Sequence, residues 1–152
     1  MNGNKKHRGY LNSTLGCRCP RCREGKLFRN PIKIGFKKNL EMNKTCIVCG
    51  QPTEIEVGFY YGTAYVSYAL TIAISVATLI AWAVLIGLST SDNRFFYWMG
   101  LNAVFLVLLQ PWIMRLSRSL WISWFVKYDP NWKQNKPIDA SERLNTEQAN
   151  NW

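Results

Sequence analysis

The sequence lacks charge in two long stretches. None of its 19 basic and 9 acidic residues falls in 65–88 or 95–114, which are 24 and 20 residues long. At about 1.5 Å per helical residue, each stretch reaches the roughly 30 Å of a bilayer's hydrocarbon core. Such segregation of apolar residues excludes a soluble globule and predicts a membrane protein with two spans.

The residues of common active sites are also scarce. His7 is the one histidine, and it lies in a basic stretch, so a Ser-His-Asp or Cys-His site is not expected. The chain has no glycine-rich phosphate loop, and the two apolar stretches contain no ionisable residue of the kind that marks an ion pathway. We therefore expect a protein that is not an enzyme, with no catalytic residue and no small-molecule substrate.

No short apolar stretch occurs within the first thirty residues, so a cleaved signal peptide is not expected. Orientation follows from the basic residues that flank the spans. Residues 1–62 contain twelve, residues 89–94 contain Arg94 alone, and the segment from Arg115 onward contains six. This distribution predicts a multi-pass membrane protein with both termini in the cytoplasm.

Four of the five cysteines form two C-x2-C pairs, Cys19 with Cys22 and Cys46 with Cys49. In the reducing cytoplasm such spacing favours metal over disulfides, and two pairs supply the four sulfurs of a tetrahedral zinc site. Short apolar pieces at 26–28 and 32–36 suit small strands, and so few residues rarely fold without metal. We predict a zinc ribbon with one structural zinc ion. The fifth cysteine, Cys17, is expected to be a spare thiol. Copper carriage involving Cys17, or rubredoxin-like iron, is the alternative.

The N-terminal 62 residues combine twelve basic with four acidic side chains. Attraction to anionic lipid headgroups explains this charge. Contact with RNA or the ribosome is a weaker explanation, and a nucleic-acid partner is not expected.

Partner contacts are predicted in the second span and just after it. Asn102 and Gln110 are polar amides that seek partners in lipid. After Met114, apolar residues recur every fourth position, which predicts an interfacial helix over 115–129. The alternative is a continuation of the span that packs on a partner protein. Large aromatic residues and arginine often carry binding energy. The candidate partner-binding residues are Asn102, Gln110, Arg115, Arg118, Trp121, Trp124 and Phe125.

The predicted fold class is membrane α-helical. It consists of a two-helix transmembrane hairpin with an N-terminal cytoplasmic zinc-ribbon module of small β-strands and a C-terminal interfacial helix. The segments are a basic leader (1–15), the zinc ribbon (16–52), an aromatic juxtamembrane linker (53–64), the first span (65–88), an external turn (89–94), the second span (95–114), the interfacial helix (115–129) and a polar tail (130–152).

Together these motifs resemble domain-of-unknown-function family 983, a group of cysteine-rich two-span bacterial membrane proteins. The resemblance covers Cys19 to Pro130 and rests on both C-x2-C pairs, on the aromatic stretch 58–68 and on 115–130. It looks like the Bacteroidetes branch, and relatives are often encoded beside cytochrome oxidase subunits. The resemblance therefore implies an accessory subunit or assembly factor of a respiratory complex in the membrane. A metal or redox carrier and a ribosome or translocon tether are the alternatives.

Overall fold

The computed structural model describes residues 9–32, 39–87 and 92–140. Two long helices form a hairpin, and residues 9–32 and 39–58, which we call the cysteine module, pack at one end of it. The elements of the described ranges are α1 (Tyr10–Leu15), a 3-10 turn (Phe59–Gly62), α2 (Thr63–Leu85) and α3 (Arg94–Phe125).

Both α2 and α3 are long and apolar enough to cross a membrane, judged by length and composition. The 23 residues of α2 extend about 34 Å, which exceeds a hydrocarbon core of about 30 Å. Many large side chains of the hairpin, such as Val84 and Leu108, point outward and are more than three-quarters exposed. Of the predicted external turn, residues 89–91 lie outside the described part of the chain.

The two helices run antiparallel with a polar contact in their seam. Thr78 Oγ1 donates a hydrogen bond to Asn102 Oδ1 (3.0 Å), and Asn102 Nδ2 donates to Ser75 Oγ (3.2 Å). Closer to the cysteine module, Gly62 lies against the indole of Trp121, whose Nε1 donates to the carbonyl of Phe59 (2.7 Å). Ser75 and Thr78 are therefore opposite Asn102, and Gly62 is opposite Trp121.

The predicted interfacial helix is not a separate element. α3 continues for 32 residues from Arg94 to Phe125 and passes through Pro111 without ending. Proline removes one backbone N–H from the helix, but neighbouring groups in a membrane hairpin tolerate this loss. The last residues of α3, after Trp121, therefore extend beyond the level at which α2 begins, and the cysteine module packs on the C-terminal part of α3.

The module and the end of α3 share one apolar core. Leu27, Phe28 and Ile55 of the module pack in the same buried cluster as Ile122 and Val126. α1 is held to α3 by two hydrogen bonds, Ser119 Oγ to the Thr14 carbonyl (2.9 Å) and Tyr10 Oη with Ser123 Oγ (2.9 Å). The face of α3 that packs on the module is thus marked by Ile122 and Val126 and not by the fourth-residue repeat, of which Trp124 is 59% exposed.

The predicted small strands of a zinc ribbon are not observed in the described ranges. The module has isolated antiparallel bridges instead, which join Arg18 with Lys26, Phe28 with Met42 and Thr45 with Pro52. Each bridge is a single residue pair. Most of the predicted second strand, residues 33–36, lies outside the described ranges.

Residues 126–140, which we call the strap, return from the end of α3 across the cysteine module. The backbone N–H of Asp129 donates to the Arg21 carbonyl (3.1 Å), and that of Ile138 donates to Gln51 Oε1 (3.2 Å). Ala140 is buried in the shared core, and Trp132 packs against it. The predicted polar tail is therefore packed as far as residue 140, and its remainder lies outside the described residues.

Candidate metal centre

The two C-x2-C pairs have the same backbone geometry. In the first, the N–H of Arg23 donates to the Cys19 carbonyl (2.8 Å), and in the second, the N–H of Gly50 donates to the Cys46 carbonyl (2.9 Å). Arg23 and Gly50 both adopt a left-handed conformation, with φ of 58° and 69°. This turn lets both thiols of a pair point to one side, which is why the spacing of two intervening residues matters.

Together the pairs bring four sulfurs into one cluster. The Sγ atoms of Cys19, Cys22, Cys46 and Cys49 all lie within 4.8 Å of one another. Cys19 is 3.7 Å from Cys49, and Cys22 is 3.7 Å from Cys46. A tetrahedral ion with metal–sulfur bonds of about 2.3 Å requires sulfurs about 3.8 Å apart. The four cysteines fit one metal ion, and a tetrathiolate donor set suits zinc and iron.

The four clustered thiols shift one another's pKa values. Hydrogen bonding with Cys22 raises the pKa of the buried Cys19 thiol, whereas hydrogen bonding with Cys19 lowers the pKa of Cys22 to about 6. Hydrogen bonding with Cys19 also lowers the pKa of Cys46. The four groups therefore share protons among themselves, and a cation bound between them would replace those protons because metals bind the thiolate.

Cys17 stands apart from this cluster. Burial raises the pKa of its thiol to about 11, and the charge of Arg115 only partly offsets the effect. The thiol is thus protonated at neutral pH, and it is not one of the four clustered sulfurs. This arrangement agrees with the prediction that Cys17 is a spare residue.

Gly25 determines how closely the first pair approaches Cys46. A Cβ atom added at Gly25 would collide with Cys46 Sγ and would come within 3.4 Å of a methyl group of Val48. We predict that Gly25→Ala displaces this sulfur and lowers metal affinity by about tenfold or more, the scale of substitutions beside metal ligands. Competition with a chromophoric chelator measures the affinity. Gly9→Ala is the matched control, since a Cβ there meets no atom within 4 Å, and an equal loss in both variants would contradict the prediction.

Sequence reasoning missed the residue that joins the metal centre to the strap. The side chain of Arg21, inside the first pair, is buried, and its Nη2 donates to the carbonyls of Asn135 (2.7 Å) and Lys136 (2.9 Å). The same nitrogen lies 3.4 Å from Asp129 Oδ2. Hydrogen bonds from Asn135, and then the contacts with Arg21, lower the pKa of Asp129. Two features of the sequence could have predicted this contact. Arg21 is a basic residue between two ligand cysteines, and Asp129 is an acidic residue that follows an apolar helix.

Three of the predicted partner-binding residues hold the chain together internally. Arg115 donates to the carbonyls of Asn39 (2.8 Å) and Asn30 (2.8 Å), and Arg118 donates to that of Leu40 (3.0 Å). Trp121, as described above, bonds the 3-10 turn. These side chains dock the cysteine module onto α3.

The other four predicted residues lie in two places. Asn102 bonds α2 within the hairpin, and Gln110 is half-buried in α3. Trp124 and Phe125 are 59% and 53% exposed at the end of α3. Binding of a partner by any of these residues stays a prediction.

Comparison with known proteins gives one match. No curated protein and no solved structure matches the chain. The family described as "Protein of unknown function (DUF983)" matches residues 36–125, more than half of the chain. The match includes the second cysteine pair and both long helices, whereas Cys19 and Cys22 lie before it. By this match, which confirms the resemblance found in the sequence, the chain belongs to the DUF983 family.

Proposed function

We propose that the protein is a non-enzymatic accessory subunit or assembly factor of a larger complex in the bacterial inner membrane. The complex that we propose is respiratory and related to cytochrome oxidase, as the family resemblance implies. One observation supports the proposal that the protein is not an enzyme. The cysteine module shares its core with α3, so the metal centre supports a fixed surface on the hairpin.

The chemistry of the centre supports a structural role. We assign it one zinc ion, because four thiolates complete a tetrahedral shell and leave no position for a reacting water molecule. Three of the four cysteines are buried, which also limits exchange of the ion. A carrier that hands its metal to another protein needs an accessible ligand, and the fifth thiol, Cys17, is outside the cluster.

The arrangement of the chain supports the proposed orientation. The cysteine module and the strap contact each other at the same end of the hairpin. This end carries most of the basic residues of the chain, and basic residues are retained on the cytoplasmic side. We therefore place the cysteine module and the strap in the cytoplasm.

The partner-facing surface that we propose is the exposed aromatic end of α3. The ring of Trp124 packs at 5.9 Å, tilted by 54°, against that of Trp121, which is fixed by its bond to Phe59. Trp124 is thus a rigid aromatic side chain that remains 59% exposed. Rigid aromatics lose little conformational entropy on binding and are frequent hot spots of protein interfaces.

We predict that Trp124→Ala weakens association with the complex by about 2 kcal/mol, the threshold of a hot spot. The measurement is the amount of cytochrome oxidase recovered with the tagged protein from native membranes in a mild detergent. Phe96→Ala is the matched control, because Phe96 is a similarly exposed aromatic (64%) at the opposite end of α3. Metal content and membrane insertion should be unchanged in both variants.

Deletion of the gene tests the same proposal without any substitution. Assembled oxidase should decrease in amount, with normal turnover of each remaining complex. Recovery of the protein with ribosomes or translocon subunits, at normal oxidase levels, would overturn the proposal and favour a tether. Iron with visible absorbance in the purified protein would instead favour a redox carrier.

A further inference from the structure

A groove of about 780 Å³ separates part of the cysteine module from the 3-10 turn. Its apolar lining includes Leu40, Met42 and Val57, and two tyrosines, Tyr60 and Tyr61, border it beside α2. Its charged lining consists of Lys44, Glu54 and Arg118. A mainly apolar cleft with a few convergent polar groups is the usual form of a small-molecule site.

The groove lies where the hairpin meets the membrane surface. Gly62 is opposite Trp121, so Arg118, three residues earlier on α3, is level with the first turn of α2. Two tyrosines of that part of α2, Tyr65 and Tyr68, are 79% and 67% exposed. Exposed tyrosines mark the headgroup level of a membrane. A lipid headgroup can therefore reach the groove while its acyl chains remain in the bilayer.

Arg118 has hydrogen-bonding capacity left over. Its Nη1 donates to the Leu40 carbonyl, and its guanidinium lies 5.1 Å from the centre of the Tyr60 ring. Within the described ranges, its Nε and Nη2 have no acceptor. Arg115, one turn earlier, differs because its Nε and Nη2 both donate to module carbonyls. Arg115 is thus occupied, and Arg118 can bind an anion in the groove.

The groove also carries charge of both signs. Lys44 and Glu54 are exposed, and neither forms an ion pair among the residues that the structure describes. Two cations suit a phosphate, whereas one nearby carboxylate opposes a purely anionic ligand and attracts an ammonium group. A ligand with a phosphate and a primary ammonium matches all three charges.

We propose that this groove binds a phospholipid with an ethanolamine headgroup. The phosphate contacts Arg118 and Lys44, the ammonium donates to Glu54, and the glycerol end lies along Leu40, Met42 and Val57 toward the bilayer. The site goes beyond the proposed function and does not depend on it, since a lipid bound here would hold the module to the membrane surface whichever protein is the partner.

Native mass spectrometry of the full-length protein in detergent, titrated with single lipids, tests the proposal. Phosphatidylethanolamine should bind more tightly than phosphatidylglycerol, which lacks the ammonium, and than phosphatidylcholine, whose trimethylammonium donates no N–H. Arg118→Gln and Lys44→Gln should each weaken phosphatidylethanolamine binding about tenfold, the effect of losing one charge-assisted hydrogen bond.

Glu54→Gln gives the sharpest result. It should weaken binding of phosphatidylethanolamine and strengthen binding of phosphatidylglycerol, so that the preference between the two lipids reverses. Glu56→Gln is the matched control, because Glu56 lines a different cavity, beside Phe125, and its removal should leave the preference unchanged. If Arg118→Gln loosens the module, which faster hydrogen exchange of the Arg29 and Asn43 amides would reveal, the exposed Lys44 and Glu54 still decide the outcome.

Two results would overturn the proposal. Equal affinity for the three lipids, unchanged by Glu54→Gln and Lys44→Gln, would mean that the lipids bind only around the hairpin. Soluble phosphoethanolamine binding as tightly as the lipid would assign the groove to a free metabolite, since the acyl chains and glycerol would then contribute nothing.

Discussion

Replacing Cys46 by serine will remove the metal ion and unfold the cysteine module, while α2 and α3 stay inserted in the membrane. The sulfur of Cys46 lies in a cluster of four that all fall within 4.8 Å of one another. Binding of structural zinc contributes on the order of 10 kcal/mol to the folding of small metal domains. Elemental analysis of the purified protein measures the metal, and limited proteolysis should show new cleavage in residues 16–52.

Cys17→Ser is the matched control for this experiment. Cys17 is a neighbouring cysteine of the same module, but its sulfur is outside the cluster. The control should keep one ion per chain and the proteolysis pattern of the native protein. Retention of the ion in Cys46→Ser, or its loss in Cys17→Ser, would contradict the assignment of the four ligands.

Arg115→Gln will loosen the cysteine module from α3 without removing the metal ion. The guanidinium of Arg115 donates to Asn39 and Asn30, approaches the Pro31 carbonyl at 3.3 Å, and lies 4.7 Å from the centre of the Phe28 ring. Glutamine is too short to reach both segments of the module. Each buried carbonyl left without a donor costs about 1–3 kcal/mol, so we expect a loss of several kcal/mol in the stability of the docked module.

Hydrogen exchange measures this loosening directly. The backbone amides of Arg29 and Asn43, which bond across the two segments that Arg115 holds, should exchange faster. Arg94→Gln is the matched control, since Arg94 also bonds a backbone carbonyl, that of Ile86 (3.0 Å), but at the exposed opposite end of the hairpin. Loss of metal in Arg115→Gln would show that the docking and the metal centre are not separable.

The sequence predicted the parts of this protein that depend on local pattern. Two uncharged runs predicted two helices able to span a membrane, and the C-x2-C spacing predicted that four named cysteines converge. Both patterns are reliable predictors because each can be read directly from neighbouring residues in the sequence. The assignment of Cys17 to a position outside the cluster follows from the same spacing.

The docking of the module on α3 was not predictable in this way. Arg115 and Arg118 donate hydrogen bonds to backbone carbonyls of Asn30, Asn39 and Leu40. Because every residue has a backbone carbonyl, the residue types at these positions do not indicate that they are acceptors. The repeat of apolar residues after Met114 predicted a face against lipid, but Ile122 and Val126, which pack in the shared core, lie outside that repeat. The prediction of a separate interfacial helix was therefore wrong, because α3 continues through this segment to Phe125.

The strap has a consequence for the order in which the protein is made. All four ligand cysteines are synthesised before α2, whereas the strap is synthesised after both helices. A nascent chain can therefore acquire its metal early, but Arg21 finds the carbonyls of Asn135 and Lys136 only when the hairpin has formed and returned the chain to the same side. Contact between the strap and the metal centre therefore requires that the hairpin has formed. In a chain whose C-terminus does not return to the module, Arg21 lacks these acceptors.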